Sequence, residues 1–110
     1  MQTPWGIRPE RNALKIRVRL YGVFRTAARS ASIQLELQSA SPDVRTVIDA
    51  LAAHAGYQAL AHLLLSDETR DPRPNALIMV SGREISTMNG LETPLIESDE
   101  LSLLPIVHGG

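Results

Sequence analysis

The last two residues of the sequence, Gly109 and Gly110, are the part of the chain best suited to chemistry. Because glycine has no Cβ, two in succession form a thin, flexible peptide that fits a channel too narrow for side chains. A carboxylate on Gly110 would be unhindered and ionised at neutral pH. Such a carboxylate is unreactive until another enzyme activates it, and it then becomes an acyl donor. The sequence therefore predicts a reactive C-terminus that works inside the active sites of partner enzymes.

Composition excludes several other kinds of site. The sequence has no cysteine, so it offers no disulfide, thiolate metal site, cysteine nucleophile or persulfide of its own. Its three histidines, His54, His62 and His108, lie far apart and lack the spacing of paired metal ligands. We therefore expect no metal site and no bound cofactor, and any sulfur atom must come from a partner.

Basic residues are concentrated at the start of the sequence. Residues 1–29 contain seven basic residues and one acidic residue, whereas residues 30–110 contain four basic and eleven acidic residues. Because aromatic residues are not interleaved with these charges, we expect no nucleic-acid partner; a face for an acidic protein and a merely solvated face both fit. No apolar run is long enough to span a membrane or to form a signal core, which predicts a soluble, cytoplasmic protein.

Two segments alternate polar and apolar residues with the period of a half-buried strand. The first begins at Lys15, so residues 1–14, which show no period, are interpreted as an N-terminal extension to a domain over residues 15–110. Gly22 is expected to end this strand, residues 23–29 to form a connection, and residues 32–37 to form its antiparallel partner. The residues expected to face inward are Ile16, Val18, Leu20, Ile33, Leu35 and Leu37.

The period then changes to that of a helix. Asp43 is expected to cap it, with Ser41 before Pro42 as an alternative, and Gly56 is expected to stop it. A shorter helix is expected over residues 57–65 and an exposed loop over residues 66–75. The apolar stripe of the main helix comprises Val44, Val47, Ile48, Leu51 and Ala55.

Three further strands are expected over residues 76–80, 83–85 and 101–104. They complete an α+β fold in which one main helix packs on a mixed sheet of four to five strands. Pro105 cannot donate a backbone hydrogen bond, so we expect pairing to weaken there and the tail, residues 105–110, to peel away from the sheet. The inward residues of these strands are Ile78, Val80, Leu101 and Leu103.

The sequence from Ala76 onward resembles the ubiquitin-like β-grasp sulfur carriers of the MoaD/ThiS family, particularly the small subunit of molybdopterin synthase. The resemblance covers residues 15–110 and implies a β-grasp fold. A Gly-Gly ending is shared with ubiquitin, so by itself it does not separate sulfur carriers from protein modifiers. The most specific part is the pattern Asp99-Glu100-x-x-x-x-Pro105-x-Val107-x-Gly109-Gly110.

The resemblance implies that Gly110 is the reacting residue and that Gly109 gives access to partner active sites. An ATP-dependent adenylating enzyme, similar to the ubiquitin activators, would convert the Gly110 carboxylate to an acyl-adenylate. A persulfide-bearing protein would then supply the sulfur of a thiocarboxylate, which would donate it to a molybdopterin precursor in a larger synthase subunit. The chain would not be an enzyme by itself, and ATP would be used by the partner.

A docking surface for these partners is expected where the final strand meets the tail. If Leu101 and Leu103 face the helix, Leu104 faces outward beside Met79 or Leu77, unless both faces of the sheet are covered. The residues expected to contact partners are Leu104, Pro105, Ile106, Val107, Met79, Arg17 and Arg19.

Other functions fit the same ending. The thiocarboxylate could serve cysteine synthesis, thiamine synthesis or tRNA thiolation, or Gly110 could form isopeptide bonds as a ubiquitin-like modifier. Lys15 is the only lysine, so a polymer could grow only there or at the N-terminus. A third interpretation is a β-grasp interaction domain with incidental glycines.

Overall fold

The computed structural model describes residues 13–65 and 70–107. These residues form a mixed five-stranded sheet with helices packed against it. The strands are β1 (Ala13–Leu20), β2 (Ser32–Gln38), β3 (Ala76–Val80), β4 (Arg83–Glu84) and β5 (Glu100–Pro105). They lie in the order β2-β1-β5-β3-β4. Strand β1 pairs antiparallel with β2 and parallel with β5, while β3 pairs antiparallel with β5 and β4. The α+β class and the mixed sheet were both predicted correctly.

Strand β1 pairs on both edges, with β2 and with β5, and one of its faces is entirely apolar. It begins at Ala13, two residues before the alternation that indicated it. The inward residues predicted for it, Ile16, Val18 and Leu20, are at most 2% exposed. Lys15, Arg17 and Arg19 are exposed on the other face. The alternation therefore assigned the two faces correctly.

The segment after β1 is a helix and not the predicted connection. Helix α1 (Gly22–Ala28) buries Phe24, which is 1% exposed, and Ala27 and Ala28 pack against the same core. These three residues have the spacing i, i+3, i+4 of one helix face, a signal that is easily missed in seven residues. Arg29, at φ 60°, ends the helix in the left-handed conformation.

Helix α2 (Val44–Ala53) is the main helix, and its start was predicted correctly. Asp43 Oδ1 accepts a hydrogen bond from the Thr46 N–H (2.9 Å), and the Asp43 N–H donates to Thr46 Oγ1 (3.1 Å). This capping box satisfies two backbone donors of the first turn. The end was predicted wrongly: the helix stops at Ala53, and Gly56 lies in a following 3-10 turn, where its N–H donates to His54 Nδ1 (3.0 Å).

Helix α3 (Gln58–Leu64) follows within the predicted range, and it buries Leu60 and Leu64. Of the predicted loop, residues 66–69 lie outside the described residues, and Pro72 is buried rather than exposed. None of the described helices has the length and apolarity to cross a membrane.

One hydrophobic core joins the helices to the inner face of the sheet. Every inward residue predicted for β1, β3 and β5, and four of the five in the α2 stripe, is at most 4% exposed; Ala55 is exposed. Ile33 and Leu37 of β2 are buried and Leu35 is half-buried. The core also contains residues that were not among the predicted inward residues, namely Phe24, Leu60, Leu64, Ala76, Ile85, Leu91 and Leu95.

Candidate functional site

Strand β5 carries the chain from the core to its predicted reactive end. Leu101 and Leu103 are completely buried between β1 and β3. Gly109 and Gly110, the predicted reactive residues, lie outside the described residues. The described part of the site consists of Pro105 and Ile106, which we call the root of the tail, and of the surfaces around them.

Pairing with β3 continues through Pro105 and one residue beyond it, so the tail leaves the sheet later than predicted. Pro105 lies opposite Ala76, and the Ile106 N–H donates to the Asn75 carbonyl at 3.1 Å. Backbone groups of successive strand residues point to alternate sides, so the nitrogen of Pro105 points toward β1. Strand β1 ends at Leu20, before this point. The missing N–H of Pro105 therefore leaves no acceptor of β1 unpaired. The tail leaves the sheet two residues later, where Val107 is 84% exposed.

The outer face of the sheet presents three apolar side chains beside this root. Leu77 and Leu104 are directly opposite each other, and Met79 lies opposite Ser102. Leu77 is 39% exposed, while Met79 and Leu104 are half-buried. We call Leu77, Met79 and Leu104 the outer patch. Leu77 was absent from the predicted contact residues, although the alternation of β3 places positions 77 and 79 on the same face.

A row of basic side chains lies next to the outer patch on the same face. Lys15, Arg17 and Arg19 project from β1, which is the neighbour of β5; we call them the basic strip. Arg19 Nη1 lies 3.8 Å from Glu100 Oε2, an exposed ion pair of about 0–1 kcal/mol. An open groove runs beside the strip, lined by Lys15, Arg17, Gln34, Glu97, Ser98, Asp99 and Glu100.

The described residues contain no group of three or more histidines and acidic residues arranged to hold a metal ion. His54, for example, stacks on Tyr57 with ring centroids 4.4 Å apart and accepts from the Gly56 amide. What this part of the molecule offers is a surface: an apolar patch, a basic strip and the strand that leads into the tail.

Two residues at the root were not singled out as functional from the sequence. A Cβ on Gly22 would lie 2.8 Å from Pro105 Cγ, so the proline ring packs directly on the Gly22 backbone. Asn75 supplies the carbonyl that binds Ile106. No local pattern marks either contact, because each joins segments distant in the sequence.

Comparison with known proteins identifies relatives of the whole domain. No family model matches the chain. The chain is 30% identical over 98 residues to small archaeal modifier protein 3 of Haloferax volcanii, an alignment that covers 88% of this chain and all of the relative. The solution structure of small archaeal modifier protein 1 from Methanosarcina acetivorans is 28% identical, with a TM-score of 0.71 over 89% of this chain and 98% of that one.

More distant structures share the fold alone. A Haloferax volcanii protein solved in solution has a TM-score of 0.75 at 24% identity, over 100% of this chain and 99% of that one. A putative molybdopterin converting factor, subunit 1, from Pyrococcus furiosus has a TM-score of 0.66 at 21% identity, over 86% and 99% of the two chains. A chain in the crystal structure of the Amycolatopsis orientalis BexX/CysO complex has a TM-score of 0.60 at 24% identity, over 86% of this chain and 99% of that one.

These neighbours and the mixed sheet confirm the β-grasp fold. The relative at 30% identity is matched along its whole length, so the likeness covers the entire domain. The chain belongs to the ubiquitin-like β-grasp family of small protein modifiers and sulfur carriers.

Proposed function

We propose that this protein is a sulfur carrier that accepts sulfur on Gly110 and donates it in cofactor biosynthesis, in the first place to a molybdopterin precursor. One observation carries the proposal: the buried strand β5 runs directly into the segment that bears Gly109-Gly110, beside an exposed apolar and basic face. The fold shared with a putative molybdopterin converting factor supports the choice of acceptor. Proteins of this family are generally not enzymes themselves, so the catalytic groups belong to the partners.

The proposed reaction has two stages. An oxygen of the Gly110 carboxylate attacks the α-phosphorus of ATP in the adenylating enzyme, and pyrophosphate leaves. The terminal sulfur of a partner's persulfide then attacks the acyl carbon and AMP leaves, which gives an acyl disulfide. A second thiol breaks the S–S bond and is itself oxidised to a disulfide with the donor thiol, so that a thiocarboxylate remains on Gly110. This chain contributes the acyl group and the surface by which partners hold it.

Docking is assigned to the outer patch and the basic strip. Leu77 and Leu104 offer apolar area next to the tail, and burying such area is the main attraction in most protein associations. Arg17 and Arg19 add positive charge that would meet acidic residues of a partner and raise the rate of encounter. The tail beyond Ile106 then extends toward the partner active site.

The test is intact-mass measurement after incubation with the cognate adenylating enzyme, ATP and a sulfur donor. We expect a mass increase equal to the replacement of one oxygen by sulfur. Omission of ATP is the negative control. A chain that stays at its original mass with an enzyme competent toward another carrier would overturn the proposal.

A matched pair of variants tests the docking face. Leu77→Arg should weaken binding to the adenylating enzyme at least tenfold, whereas Ile96→Arg, which changes a residue that is 70% exposed and does not belong to the outer patch, should leave binding nearly unchanged. Equal effects of the two variants would remove the outer patch from the interface.

Protein modification is a second candidate function. It is favoured by the 30% identity to a relative named as a small archaeal modifier protein. Gly110 would then form isopeptide bonds with lysines of other proteins. In the same incubation, with cell proteins present, adducts larger by the mass of this chain would identify this activity. Lys15→Arg removes the only lysine of the sequence. An isopeptide adduct that this variant still forms cannot be attached to a lysine side chain of another copy of the same protein.

A further inference from the structure

The root of the tail, Pro105 and Ile106, is held from both neighbouring segments. On the β1 side, the ring of Pro105 packs against the backbone of Gly22, where a Cβ would come within 2.8 Å of Pro105 Cγ. On the β3 side, the Ile106 N–H donates to the Asn75 carbonyl at 3.1 Å. Beyond this hydrogen bond the chain becomes mostly exposed, at Val107.

Asn75 makes two further hydrogen bonds, one from its side chain and one from its backbone. Its side-chain Nδ2 donates to the carbonyl of Leu64 at 2.9 Å, and its backbone N–H donates to the Pro72 carbonyl at 2.9 Å. Leu64 is the last residue of α3, and a carbonyl there has no partner within the helix. Asn75 therefore joins three parts of the molecule: the end of α3, the turn before β3, and the root of the tail.

The side chain at position 75 must be a short donor. An ionised aspartate has the same shape but can only accept, so it would repel the Leu64 carbonyl. An alanine would leave that carbonyl without its partner. Either change releases the turn that holds the Asn75 carbonyl in place for Ile106.

We infer that Asn75 is a positioning residue that fixes where, and in which direction, the tail leaves the sheet, so that Gly110 reaches the active site of a docked partner. The inference rests on the proposed function. Four residues follow Ile106, whereas six follow Leu104, the preceding residue whose backbone points toward β3. Loss of the Ile106 bond would thus lengthen by half the segment between this anchoring contact and Gly110. The local concentration of a tethered end falls with about the −3/2 power of its length, which gives roughly a twofold drop.

The decrease in the rate of Gly110 adenylation should exceed this roughly twofold drop in local concentration. A displacement of only about 1 Å from reacting geometry can lower a rate about 100-fold. We therefore expect the kcat of Gly110 adenylation to fall between about 2-fold and 100-fold in Asn75→Ala and Asn75→Asp. The KM for the carrier should stay unchanged, because the outer patch and the basic strip are untouched.

The first arm of the test needs no partner. Amide hydrogen exchange of Ile106 should be at least tenfold faster in Asn75→Ala and Asn75→Asp than in the unaltered chain, while exchange of Leu101 in the centre of β5 stays unchanged. Asn89→Ala, which alters an exposed asparagine in another turn, is the control and should change neither amide. Unchanged exchange at Ile106, or equal acceleration at Ile106 and Leu101, would overturn the inference.

The second arm measures ATP–pyrophosphate exchange by the adenylating enzyme at varied carrier concentration. A lower kcat at constant KM in both Asn75 variants, with Asn89→Ala unaffected, is the expected result. A raised KM, or an unchanged kcat despite fast exchange at Ile106, would overturn the positioning role alone. If the unaltered chain is never adenylated, the proposed function fails and the positioning role fails with it.

Discussion

Pro105 lies so close to Gly22 that no other residue type fits at position 22 without movement. Gly22 has φ +58°, which is unfavourable for residues with a Cβ, and its missing Cβ is the space that the proline ring occupies. The same glycine begins α1 directly after Tyr21, whose N–H donates to the Leu103 carbonyl at 3.3 Å. One residue thus turns the chain out of β1 and supports the root of the tail.

Gly82 provides a control for the replacement of Gly22. Gly82 also has a positive φ, +88°, but a Cβ there would meet no atom within 4 Å. Gly82→Ala should lower the free energy of unfolding by about 1–2 kcal/mol through backbone strain alone. Gly22→Ala should lower it by about 2–5 kcal/mol, since overpacking against Pro105 adds about 1–3 kcal/mol to the backbone strain. Urea denaturation measures both, and a smaller loss for Gly22→Ala would show that Pro105 moves aside freely.

The pKa of Asp71 is lowered, chiefly because the Arg73 side chain donates hydrogen bonds to its carboxylate. A pKa lowered in the folded state contributes stability above the ordinary value of 3.8, and this contribution is lost as the pH falls through the folded-state pKa. Arg73→Ala should therefore raise the pKa of Asp71 in an NMR titration. The stability difference between the two proteins should be present at neutral pH and vanish in acid. Arg70→Ala, which removes the ion pair with Asp49, should leave the Asp71 titration unchanged.

Helix α2 is the element that closes the core over the sheet. Its capping box sets where the helix begins, and its buried stripe belongs to the same core as the inner face of the sheet. The helix is amphipathic, so its stability depends on that packing more than on the propensity of its residues. Loss of one large side chain from the stripe should therefore lower the free energy of unfolding of the whole domain.

Leu51→Ala measures this packing. Leu51 is completely buried, and its truncation should lower the free energy of unfolding by about 2–5 kcal/mol. Leu63→Ala is the matched control, because Leu63 lies on α3 and is 41% exposed; its loss should stay below about 1 kcal/mol. Equal losses in chemical denaturation would mean that the α2 stripe is not the main contact of the core.

Folding and chemistry occupy different parts of the molecule. The core lies between the helices and the inner face of the sheet, while the outer patch, the basic strip and the root of the tail lie outside it. Under the proposed function, the residues of the outer patch and the basic strip can therefore change with little effect on stability, and the reaction proposed for Gly110 need not disturb the fold.

Deletion of Gly110 tests this separation. Glycine has no side chain to bury, so the free energy of unfolding should change by less than about 0.5 kcal/mol. Sulfur transfer should be abolished, since the reacting carbonyl would move back by about 3.5 Å. Addition of one residue after Gly110 should be equally damaging. Formation of a thiocarboxylate at the normal rate by either variant would contradict the proposed reaction.

The sequence by itself determined the features that depend on local period and residue type. Alternation assigned the two faces of β1, and 3.6-residue spacing assigned four of the five residues in the stripe of α2. Residue type made Asp43 one of two candidate caps, and the structure shows that it is the cap. Only the tertiary structure decided that Leu77 lies opposite Leu104, that Ile106 binds Asn75 and that Pro105 packs on Gly22. A period repeats within one segment, whereas the register between strands is settled when distant segments bury their apolar faces together, and a slip of one residue would reverse every face.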